Sequence, residues 1–109
     1  MDVRTADKAR ELSRKALEEY AEEIFDVPSV AVRIQRAIRA GRSRTRIPQD
    51  RPLDLSGTTA AALLVLHLES LGYATSWEEV RRTENVPREG SVETVYCELM
   101  VEWFERLFS

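Results

Sequence analysis

Six arginines fall between residues 33 and 46, at Arg33, Arg36, Arg39, Arg42, Arg44 and Arg46, with no acidic residue among them. A guanidinium is a planar, permanently charged fork that meets two oxygens of a phosphate or carboxylate at once. The first three recur at every third position, which sets them along the outer side of a helix. The last three alternate with Ser43, Thr45 and Ile47, which suits a short strand carrying its arginines on one side. Together they can form one basic patch able to hold a nucleic-acid backbone or a nucleotide. No aromatic lies in the segment to stack a base. The chain as a whole carries −3 at pH 7, so any pull on a polyanion is local. The simpler reading is a solvated face, or one paired with acids. Glu78, Glu79, Glu93, Glu98 and Glu102 are available for that, within one chain or between two, and surface charge runs more often serve such ends.

The other reactive side chains are few. His67 and Cys97 are each the only residue of their type. His67 shares a helical stripe with Ala60, Leu63, Leu64 and Leu71, so a core position with a hydrogen-bond partner is expected for it. Cys97 as a nucleophile needs a base, and only His67 is on offer. One histidine and one cysteine fall short of the usual zinc set. The acids Glu18, Glu19, Glu22 and Glu23 occupy positions of a solvated helix face rather than of a magnesium site. The phosphate-loop, dinucleotide and nucleophile-elbow patterns are all missing. These observations predict no catalytic residues, no metal, no cofactor and no enzyme.

The elements that must position these residues follow from periodicity. The chain's 109 residues, 43% hydrophobic and 32% charged, are expected to form a single domain over 1–109. A lone cysteine gives no internal disulfide. The charged start lacks a signal core, and no apolar run approaches the ~20 residues of a membrane span. A cytoplasmic location with no membrane partner is expected, in the host cytoplasm or the virion if the protein is viral. Residues 56–73 hold the longest apolar run and predict a central helix. Ser56 is placed to cap it, Gly72 to end it in positive φ, and Tyr73 to fold back on Leu68. So much apolar circumference implies cover on more than one side.

Residues 3–25 predict a first helix with a stripe of Ala9, Leu12, Ala16, Tyr20 and Ile24, capped by Thr5 or Asp2. Pro28 breaks or bends it. A second helix over 30–40 turns Val30, Ile34, Ala37 and Ile38 inward and ends at Gly41. Pro48 stops the strand or confines it to a sheet edge, and residues 49–54, which carry Pro52, read as a loop into the central helix. Residues 84–90 read as a turn. Residues 91–103 fit strand and helix periods equally. Trp77, Trp103, Phe104 and Phe108 come late; most belong in a core, while Trp103, Phe104 and Phe108 are candidates for a subunit interface.

Four features in order carry a resemblance: TADKAR-EL near the start, I-x-x-A-I-x-A-G at 34–41, L-x-x-L-G-Y at 68–73, and a β-rich segment closing at Trp103. The chain resembles a group of small uncharacterised tailed-bacteriophage proteins. It departs from them in a longer loop at 49–55, longer last segments and a continuation past Trp103. The resemblance implies an α+β fold, with N-terminal helices and the central helix packed on a small antiparallel sheet of about 43–47, 73–82 and 92–103. The alternative is an all-α bundle of four or five helices. No site residues come with it. The function expected first is a non-enzymatic phage-type accessory or virion-associated protein, acting by self-association (a homo-oligomer) or by binding another viral or host protein. A phosphate, nucleotide or nucleic-acid binder using the arginine patch, a sequestering protein among the forms this could take, comes second. A helix-turn-helix regulator with residues 77–83 as its second helix comes third.

Overall fold

A computed structural model describes Val3 and residues 5–103. Helix α1 (Ala6–Ile24) leads through a tight corner into α2 (Val27–Arg39). Strand β1 (Arg44–Ile47), helix α3 (Thr59–Ser70) and the long strands β2 (Ala74–Val86) and β3 (Gly90–Glu102) follow. The fold is α+β. The sheet is antiparallel with order β1-β3-β2, so β3 is central. The helix-bundle alternative is excluded, because residues 90–102 pair with β2 as strand and residues 99–102 pair with β1 as well. Residues 77–83, needed as a helix by the regulator reading, lie inside β2.

Local chemistry fixes each boundary. The Thr5 hydroxyl accepts from the Lys8 N–H and starts α1. Asp26 accepts from the Ser29 N–H and starts α2, with Pro28 in the first turn, where a missing N–H costs nothing. The cap of α3 is not Ser56. It is Thr58, whose hydroxyl accepts from the Ala61 N–H and donates to the Leu55 carbonyl; Ser56 instead closes a turn on Asp54. Both later helices end in the same way. Gly41, at φ 76°, bonds back to Ile38 while Arg42 reaches Ala37. Gly72, at φ 93°, bonds back to Glu69 while Tyr73 reaches Leu68. This paired closure satisfies carbonyls that a helix end leaves bare.

The pairing register divides the sheet into two faces. Thr45, Ile47, Trp77, Leu99 and Val101 share one face, and Arg44, Arg46, Glu78, Val80, Arg82, Tyr96, Glu98 and Met100 share the other. The first face meets the helices. Ile47, Leu99 and Val101 join Tyr20, Ala21, Phe25, Val30, Ile34, Leu55, Ala61, Leu64 and Leu68 in one core. Trp77 meets Phe25 edge to face at 5.9 Å, and Tyr73 meets Trp103 likewise at 6.0 Å.

The central helix is buried along one line only. Ala61, Leu64 and Leu68 face the core, whereas Leu63 and Leu66 are 63% exposed and Leu71 62%. His67 is exposed as well, not a core residue. The expected stripe through Leu63, His67 and Leu71 is therefore corrected. The sheet lies against one side of α3, α1 flanks it, and nothing among the described residues covers the far side. Ile38, expected inward on α2, is 45% exposed. On α1, Ala9 and Ala16 are exposed and the buried positions are Tyr20 and Ala21.

Beyond Tyr96 the β2–β3 hairpin runs out past the body. Its strands are 13 residues each, about 43 Å at 3.3 Å per residue. The radius of gyration is 17.1 Å, against about 13 Å for a compact chain of about this length.

Candidate functional site

Helix α2 and strand β1 set the arginines around one cleft. Arg33, Arg42, Arg44 and Arg46 line a hollow of about 690 Å³, floored by Met100. Arg33 and Arg42 also line an adjoining hollow of about 190 Å³ with Arg36, Ser29 and Thr45. Arg39 lines neither. The glycine closure at Gly41 is what turns the chain from helix to strand, so that Arg42 and Arg44 come round beside Arg33. No acidic residue lines either hollow among the described residues.

Of the six arginines, Arg46 is paired: its guanidinium donates to Glu78 at 2.7 Å across the outer face of the sheet. Arg33, Arg36, Arg39, Arg42 and Arg44 make no ion pair among the described residues. Arg36 and Arg39 stand in the last turn of α2, where they offset the helix's own negative end. Glu79 and Glu93, expected as partners for the segment, both hold Arg81 instead. Glu98 and Glu18 have other partners.

Glu98 is 5% exposed. Its carboxylate accepts from the Gln49 N–H at 2.8 Å and the Tyr96 hydroxyl at 3.1 Å. Arg82 donates to the same hydroxyl and to the carbonyls of Gln49 and Asp50, and its guanidinium lies over the Tyr96 ring at 5.3 Å. Burial, then the bond to Glu98, pushes the Tyr96 hydroxyl above its ordinary pKa, with Arg82 pulling the other way. This cluster pins the loop after β1 to the sheet; the Arg51 N–H completes the attachment by donating to Tyr20. Glu18, expected on a solvated face, reaches α3, accepting from the Thr59 N–H at 2.7 Å.

A second surface is apolar. Val27, Val30, Ala31, Ile34 and Ile38 of α2 face Leu64, Leu68 and Leu71 across a groove of about 210 Å³, with His67 and Gln35 on its rim. Leu63 continues this surface beside Val27 and Phe25. Cys97 lines neither this groove nor the arginine cleft, so it is not gathered with His67. Trp103 is half-buried against the core. Phe104 and Phe108 lie outside the described residues. Among the described residues no three His, Cys, Asp or Glu side chains are placed to share a metal ion, and no helix is long and apolar enough to cross a membrane.

Comparison with known proteins gives no match to any family model, curated protein or solved structure.

Proposed function

We propose that this chain is a non-enzymatic, self-associating protein of the phage accessory or virion-associated kind, and that a second copy of itself covers the α2–α3 face. One observation carries the reading. Leu63 and Leu66 of α3, and Leu71 at its end, are each more than 60% exposed, and Leu63 and Leu71 line hollows shared with the exposed Val27 of α2, Leu71 with Ile38 as well. Scattered surface leucines are ordinary, but a contiguous apolar face rimmed by polar residues marks a protein interface. Each fully covered leucine adds about 1.5–3 kcal/mol of apolar burial.

Two further features agree. The acids Glu19, Glu22 and Glu23 late in α1 and the arginines of α2 and β1 give the surface charges of both signs, which favours ordered association between copies. The hairpin extends well past the core and offers reach to a neighbour.

Sedimentation at rising concentration tests the reading. A mass of two or more chains is expected, falling to one chain in Leu66→Asp, whose far-UV spectrum stays unchanged because the site is exposed. A wild-type chain that remains a monomer at high concentration and low salt overturns it.

A further inference from the structure

We infer that the α2–β1 cleft binds the phosphodiester backbone of a nucleic acid without regard to sequence. This assigns the chain an activity separate from self-association, on a different surface.

The charge comes first. Nineteen acids stand against sixteen lysines and arginines in the chain, yet the cleft's arginines have recruited one acid, Glu78. In an acid-rich chain, arginines kept solely for solubility or pairing would meet more of those carboxylates. The helix dipole accounts for part of the excess. The C-terminal end of α2 carries about half a negative charge, which Arg36 and Arg39 more than offset. Arg33, Arg42 and Arg44 are surplus to that need.

Placement comes second. These charges do not lie along one exposed helix. They converge from a helix, a glycine corner and a strand, and Arg33 and Arg42 face both hollows. Ser43 and Thr45 are also among the residues that line the cleft. Backbone donors join in. Trp103 donates to Ser43 across the β1–β3 pair, so Ser43, Thr45 and Ile47 bond toward β3. The N–H groups of Arg44 and Arg46 then point away from β3 along the open edge of β1. Guanidinium forks, hydroxyls and outward amides are the groups that grip phosphate oxygens.

The class of ligand follows from shape. The cleft is an open furrow with no aromatic lining it among the described residues, so it offers neither a stacking platform nor an enclosure for a base. A lone phosphate would engage one or two of the arginines. The α2 charges step about 4.5 Å apart at 1.5 Å per residue, and Arg44 and Arg46 stand about 6.6 Å apart along the strand. A furrow with charges repeated along it suits a chain of phosphates. Contacts of this kind position a nucleic acid without reading it.

Fluorescence anisotropy with a labelled mixed-sequence oligonucleotide, single-stranded in one arm and duplex in the other, tests this between about 50 and 200 mM salt. Binding is expected at the low end and should weaken steeply with salt. Arg42→Glu with Arg44→Glu should lower affinity at least tenfold, and milder Arg42→Gln with Arg44→Gln should flatten the logarithmic salt slope by about one for each arginine removed. Arg14→Glu with Lys15→Glu on exposed α1 makes the same change in net charge and should leave most of the binding in place. Sedimentation of every variant keeps the two surfaces apart, and Leu66→Asp should still bind. Failure to bind at about 50 mM salt, indifference to the cleft substitutions, or equal loss in the α1 control overturns the assignment. So does a cleft variant that loses only its oligomeric mass, which would give the arginines to a neighbour's carboxylates.

Discussion

Glu98 shows how one buried charge can organise a loop. Its oxygen takes a backbone N–H and a phenol hydroxyl, and Arg82 ties that phenol to the loop carbonyls. Glu98→Ala strands both donors in a buried setting. Leaving a buried group unsatisfied costs about 1–3 kcal/mol, and urea unfolding should show a loss in that range. Tyr96 supplies a pH test. Its pKa is raised in the folded chain, so the folded state holds this proton more tightly than the unfolded state. The resulting stability is full below the ordinary tyrosine value near 10 and is lost as pH climbs through the higher folded value. Melting temperatures taken across that alkaline window should fall more steeply in wild type than in Tyr96→Phe, and the two slopes should agree at neutral pH. Nothing in the sequence flags this cluster. Arg82, Tyr96 and Glu98 come onto one face only once the register of β2 against β3 is known, and Gln49 joins from a distant loop. Gly72 and Tyr73 were legible because a helix end is decided by neighbours within six residues.

The elements were legible in proportion to how local their causes are. Caps, the proline corner and the strand placing Arg44 and Arg46 on one side follow from adjacent residues. The last segment fits two periods, and long-range pairing with β1 and β2 decides for strand. The central helix was recognised, but the burial of its leucines was not. An apolar run gives the amount of surface to cover, whereas the cover depends on where other elements end. That difference can be measured. Leu64, at 3% exposed, and Leu66, at 63%, are two residues apart. Leu64→Ala should cost about 2–5 kcal/mol of unfolding free energy, while Leu66→Ala in monomeric protein should stay within about 0.5 kcal/mol. Gly72→Ala meets no atom within 4 Å, so its cost is the positive φ alone, about 1–2 kcal/mol, read as a lower denaturation midpoint at constant slope.

At the scale of the whole molecule, cohesion is unevenly spread. The core sits where three helices meet the base of the sheet, and β1 supports β3 only over residues 99–102. Residues 90–98 have β2 as their sole strand neighbour, and past Tyr96 both strands leave the buried cluster. An isolated two-stranded ribbon is marginal in water, so this one holds through its roots. Opening should begin at Arg88 and travel inward without unfolding the helices. Deuterium uptake followed by mass spectrometry should trace that course: peptides from the tip labelling within seconds, those around Leu99 and Val101 only on global unfolding, and a graded interval between. A chain built so lends its neighbours a pliant finger on a fixed knuckle, and the finger can bend, fray and re-form while the grip behind it stays set.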